Sequence, residues 1–147
     1  MVPLIVLVVS ALLFWLTGWA GVTVFRDLGF VLRAALGVMF LFTASAHWGK
    51  RRPDLIRMVP PALPRPDLLV TFTGVLEILG AIGLFVPITA RAACISLVLL
   101  LLALFPANIH AAHHNLAIAG RPVPNLPVRA AIQLVFIATL VGAVWLR

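Results

Sequence analysis

DLLVTFTGVLEILGAIGLFVP, residues 67–87, is a long apolar run with one acidic residue inside it. Glu77 lies ten residues beyond Asp67, about 15 Å along a helix at about 1.5 Å per residue. That depth is close to the midplane of a hydrocarbon layer about 30 Å thick. A charged side chain there costs on the order of 3 kcal/mol on insertion scales. Glu77 is therefore expected to face protein or water, to carry a proton, or to be paired. Thr73, Gly74, Gly80 and Ala81 share its helical face, three or four residues away on either side. Small residues let helices approach closely in membranes, so this face is expected to point into a helix bundle.

Composition agrees. With 63% hydrophobic and 10% charged residues in 147, the chain lies far below the roughly 25% charged residues of soluble domains. Its length suits a single membrane domain, residues 1–147. The net charge of +7 usually raises the question of nucleic acid. Here the basic residues flank apolar segments, where topology and anionic headgroups account for them, so no nucleic-acid partner is expected. The single cysteine, Cys94, excludes an internal disulfide or CxxC pair and reads as inert packing.

Working outward, five apolar stretches are expected to span: about 2–21, 29–48, 67–86, 92–110 and 128–146. The first lacks the basic n-region of a signal peptide, and Trp15 and Trp19 read as interfacial anchors, which favours a retained helix. Arg33 is near enough to the start of the second span to snorkel. The Pro-rich stretch 53–66 holds Pro60, Pro61, Pro64 and Pro66, which forbid a regular helix. Leu55, Ile56, Met58, Val59 and Leu63 are too apolar for a solvated linker. A short interfacial helix around 54–58 and a rigid extended segment on the rim are expected. Pro106 removes one backbone bond in the fourth span and predicts a kink. Short loops favour an all-α, up-and-down bundle. Lys50, Arg51, Arg52, Arg57, Arg65, Arg121 and Arg129 lie on one side and Arg26, Arg33, Arg91 and Arg147 on the other. The positive-inside rule then puts the N-terminus in the cytoplasm and the C-terminus outside.

His47, then Arg57-Met-Val-Pro-Pro-Ala-Leu-Pro-Arg-Pro66, Thr73-Gly-Val-Leu-Glu-Ile-Leu-Gly80, Leu84-x-x-Pro87-x-Thr and Phe105-Pro-Ala-Asn-Ile109 follow one another. This order resembles the DoxX family of small bacterial membrane proteins over about residues 30–146. Its signature positions here are Pro60, Pro61, Leu63, Pro64, Pro66, Gly74, Gly80 and Pro106. Ala90 stands where that family commonly has arginine. The resemblance implies a four-helix core, with the first span as an additional N-terminal helix, in a bacterial inner membrane. It also implies two functional classes: subunits beside membrane oxidoreductases, and assembly factors.

His47, Glu77 and Asn108 are all expected in the cytoplasmic half of the bundle. They read either as a structural clamp that fixes helix register, or as a site that exchanges protons with a quinone or hydrogen-bonds its carbonyl. His110, His113 and His114 have a spacing that fits a metal, but no Cys or acidic residue lies near to complete it, so no metal is expected. No glycine pattern or cysteine set binds flavin, haem or an iron–sulfur cluster. No intrinsic cofactor is expected, and a quinone or lipid is the ligand such a site would take. The expected role is an accessory or scaffold subunit of a larger, redox-linked membrane complex rather than an autonomous enzyme. Its partners would be the bilayer and other membrane proteins or further copies of the chain. The alternatives are a quinone-interacting oxidoreductase subunit, an assembly chaperone and a small-solute transporter.

Overall fold

The computed structural model describes residues 1–145, so the expected end of the fifth span at Leu146 and the charge of Arg147 lie outside the described residues. Five helices are long and apolar enough to cross a membrane: α1 (Val2–Trp19), α2 (Leu28–Ser45), α4 (Pro66–Phe85), α5 (Ala90–His113) and α6 (Leu126–Trp145). A short helix, α3 (Arg52–Met58), stands between the second and third spans. The chain is an all-α, multi-pass membrane protein.

The four spans α2, α4, α5 and α6 form a closed ring in which α2 meets α4, α4 meets α5, α5 meets α6 and α6 returns to α2. Helix α1 lies outside the ring against α2. Helix α2 is therefore the centre of the molecule, and its sequence suits that place. Ala34, Ala35, Gly37 and Ala44 are buried along it, so neighbouring backbones come close on several sides. The apolar centre is built from Leu36, Met39, Leu84, Leu97 and Leu140, one or more from each helix of the ring.

Three close approaches fix how the helices sit. A Cβ on Gly80 would lie 2.5 Å from Leu97 of α5, and one on Gly37 would lie 2.5 Å from the Phe85 ring of α4. On α1, a Cβ at Gly18 would lie 2.4 Å from the Phe25 carbonyl oxygen. The 3-10 turn Thr23–Arg26 folds back over that glycine, and Phe25 stacks on Phe14 with ring centroids 4.8 Å apart.

Helix ends follow local chemistry. The Asp27 side chain accepts from Gly29 N at 2.8 Å and caps α2. Thr89 Oγ1 donates to Gly83 O and Val86 O, closing the turn at Pro87. Helix α2 stops at Ser45, three residues short of the expected Trp48, and Arg52 satisfies the freed His47 carbonyl at 2.7 Å. Helix α5 is longer than the expected 92–110 and runs through Pro106 to His113.

The Pro-rich connection departs from expectation. Instead of an extended segment packed on the rim, residues 60–63 form a turn with Leu63 N bonded to Pro60 O at 3.0 Å, and Leu63 is 46% exposed. A small antiparallel hairpin, β1 (Ala117–Ile118) and β2 (Arg121–Pro122), stands between α5 and α6. Its central residues Ala119 and Gly120 both have positive φ, as a type I′ turn requires.

Candidate functional site

Among the described residues, the buried polar side chains are His47, Glu77 and Gln133. His47 and Gln133 lie toward the end of the bundle where α2 and α5 finish and α4 and α6 begin, and Glu77 lies near the middle of α4. Two of the three expected site residues, His47 and Glu77, are thus buried, and both sit at the α2–α4 contact, Glu77 at mid-helix rather than within one half of the bundle.

Glu77, the twelfth residue of α4, faces α2 and not lipid. Its Oε2 accepts a 2.8 Å hydrogen bond from Thr43 Oγ1, which also reaches Phe40 O at 3.0 Å. Among the described residues no cation pairs with this carboxyl, the single ion pair being Arg57 with Asp54. One turn nearer the helix start, Gly74 receives the ring of His47. A Cβ there would lie 2.7 Å from His47 Cγ and 2.8 Å from Trp48 Cη2. His47 Nδ1 is 3.2 Å from Ala44 O. His47 and Glu77 therefore occupy adjacent levels of one helix interface, each bonded to α2 rather than to the other.

Asn108 belongs elsewhere. Its Nδ2 donates to Gln133 Oε1 at 3.0 Å, and its Oδ1 accepts from Arg129, so it joins α5 to α6. Leu97 fills the space at Gly80, which sets Glu77 level with about Leu100 on the antiparallel α5. Asn108 is then about 12 Å further along the axis, at about 1.5 Å per residue. The expected trio resolves into two polar clusters, because depth in the sequence assigns an end of the bundle but not a neighbouring helix. Arg129 Nε is buried without a hydrogen bond among the described residues.

A cover closes this end. Arg52, at the start of α3, donates to His47 O at 2.7 Å, to Asp67 O at 3.0 Å and to Thr71 Oγ1 at 3.0 Å. One guanidinium thus ties the end of α2 to the first turns of α4. Asp54 then accepts from Ala119 N at 2.9 Å and from Arg57, fastening α3 to the hairpin. These two bonds hold the Asp54 carboxyl below its ordinary value, the Ala119 N–H contributing more than Arg57.

The histidines do not converge on a metal. The His114 ring lies 4.2 Å from that of His110, its Nδ1 sits 2.9 Å from the His110 carbonyl, and His113 is exposed. No group of three His, Cys, Asp or Glu among the described residues could hold an ion. Cys94 Sγ donates to Leu140 O at 3.3 Å, a buried contact between α5 and α6.

The residues that organise the site but escaped sequence reasoning are Thr43, Arg52, Asp54 and Arg129. Thr43 lies on the same helical face as His47, i and i+4, a spacing that points to one polar stripe on α2. Arg52 and Arg129 resemble their neighbouring loop charges, and nothing local distinguishes them.

No curated protein and no solved structure matches the chain. A family model does, over residues 36–147, from within α2 to the C-terminal residue. Helix α1 lies outside that match, as it lies outside the ring. With more than two thirds of its length covered, the chain belongs to the family described as Domain of unknown function (DUF8561).

Proposed function

We propose that this chain is an accessory or scaffold subunit of a larger, redox-linked membrane complex in a bacterial cytoplasmic membrane. One observation carries the reading. The interior at the level of Glu77 is filled, with Leu97 seated on Gly80, and the polar groups are bonded in pairs across helix interfaces, Thr43 to Glu77 and Asn108 to Gln133. Such pairs fix helix register and leave the outer faces to neighbours. A small-solute transporter would call for broken helices in an internal repeat, whereas α5 continues through Pro106. The resemblance to the DoxX family supports the same class, with electrons supplied by a partner. The basic side chains of Lys50, Arg51, Arg57, Arg65 and Arg121 around one end support a cytoplasmic N-terminus.

The test is gentle purification of the full chain from its native membrane, followed by identification of co-purifying proteins, quinones and lipids. A stoichiometric membrane partner is expected. Recovery of the chain alone, or only with further copies of itself, would remove the proposal. A second reading, a quinone-interacting subunit, is favoured by the Glu77 carboxyl with Thr43 and no cation beside it, and His47 on the next level. A Glu77→Gln protein that folds, keeps its partner and loses quinone-linked electron transfer would establish that reading instead.

A further inference from the structure

The opposite end of the bundle carries a cleft that neither polar cluster uses. It has a volume of about 380 Å³ and lies between the start of α2, the α4–α5 turn and the last turns of α6. Asp27, Gly29, Arg33, Pro87, Arg91 and Ala143 line it. That volume falls within the range of small-ligand sites. Two guanidiniums border it, from helices α2 and α5 that sit diagonally across the ring.

Neither arginine has an acidic partner among the described residues. Arg33 is the sixth residue of α2, deep enough to need a route back to the interface. It takes one: Nε donates to Gly29 O at 3.3 Å, and the guanidinium carbon lies 5.5 Å from the Phe30 ring centroid. Both contacts draw the guanidinium back toward the helix start while leaving its terminal nitrogens available. The Arg91 side chain makes no hydrogen bond among the described residues and is exposed. The one carboxylate in the cleft, Asp27, is already engaged on Gly29 N as the α2 cap.

Two like charges at one cleft in the low-dielectric edge of a bilayer favour an anion that both can bond. Guanidinium forks match the oxygens of a phosphate group. We propose that this cleft binds a phosphate group, presented by an anionic glycerophospholipid headgroup or by a small soluble phosphate. The site is at the end of the bundle away from the Arg52 strap. It stands independently of which complex the chain joins.

Native mass spectrometry of the full chain in micelles doped with phosphatidylglycerol or phosphatidylcholine tests the lipid source, and thermal unfolding with inorganic phosphate tests the soluble one. Arg91→Gln is the main variant, because this side chain bonds nothing else among the described residues. Arg33→Gln is the second. Arg121→Gln, at the far end, removes the same charge without touching the cleft. The expected result is selective retention of phosphatidylglycerol, reduced about tenfold by Arg91→Gln, the size of one charge-assisted hydrogen bond, and unchanged by Arg121→Gln. Phosphate-dependent stabilisation lost in the same variant, without lipid selectivity, would support the site with a soluble ligand. Absence of both effects, or an equal loss in Arg121→Gln, would overturn the proposal.

Discussion

Thr43 Oγ1 and Glu77 Oε2 lie 2.8 Å apart across the contact between α2 and α4, and the threonine has a second acceptor in Phe40 O while the carboxyl has no second side chain among the described residues. The pair is therefore unequal. Removing the threonine hydroxyl leaves a buried carboxyl without its donor, which costs about 1–3 kcal/mol. Removing the carboxyl leaves a threonine that still bonds its own helix. Thr43→Val is expected to destabilise the protein more than Glu77→Leu, and Glu77→Gln is expected to stay within about 1 kcal/mol of the native chain. Unfolding in detergent measures all three. Greater destabilisation by Glu77→Leu would mean that the carboxyl holds more than Thr43.

Packing at Gly80 offers a sharper test of the filled interior. An alanine methyl there would lie 2.5 Å from Leu97 Cδ2 and 2.6 Å from Leu97 Cγ, too close without movement of a leucine that is itself fully buried. Gly80→Ala is expected to cost about 1–3 kcal/mol as overpacking, and Leu97→Ala about 2–5 kcal/mol as a cavity. The double variant should lose less than the two together, because each change relieves the other. Strict additivity in a double-mutant cycle would show that the two residues do not share this space.

The cover at the polar end rests on Arg52, whose guanidinium reaches His47 O, Asp67 O and Thr71 Oγ1. Arg52→Ala is expected to lower stability by about 1.5–3 kcal/mol, the range for hydrogen bonds to a charged group. Arg52→Lys should recover little of it, because an ammonium on a flexible stem lacks the planar fork that spans two helices. Recovery of full thermal stability by lysine would mean that charge at the end of α2 matters and the fork does not.

Much of this architecture is legible in the sequence, and the gaps have physical causes. Apolar run lengths located all five spans, since a bilayer demands about twenty residues whatever they touch. The sequence predicts the short interfacial helix at 54–58 because its residues are too apolar for a solvated linker, and it appears as Arg52–Met58. Glu77 was readable as inward-facing from Gly74 and Gly80 beside it, both of which prove to be close-approach points. Asn108 was not readable in the same way. Its partners Gln133 and Arg129 come from another helix, and which helix neighbours which is set by ring order, not by depth. The hairpin was hidden because Ala119-Gly120 lacks the Asn-Gly or Asp-Gly pair that usually signals a type I′ turn. The turn at Pro60–Leu63 is not legible in the sequence, because an apolar residue at a membrane edge can face lipid as readily as protein.

The tether between α3 and the hairpin is expected to respond to pH. The Asp54 carboxyl accepts from Ala119 N and from Arg57, and the first of these contributes most to holding its pKa below the ordinary value. A depressed folded value means that the ionised form is the one the folded cover prefers. The contribution is therefore complete above the ordinary carboxylate value of about 3.9, and it is lost as pH falls through the lower folded value. Hydrogen exchange at the Ala119 amide, corrected for its intrinsic pH dependence, should show protection at neutral pH that fades in that acidic window. Asp54→Asn should show weak protection at every pH, because an amide oxygen accepts less strongly than a carboxylate and Arg57 loses its ionic partner. The bundle spans should stay protected throughout, since Asp54 touches none of them by hydrogen bond. Equal Ala119 protection in the native chain and in Asp54→Asn would show that the hairpin is held by its own turn and not by α3.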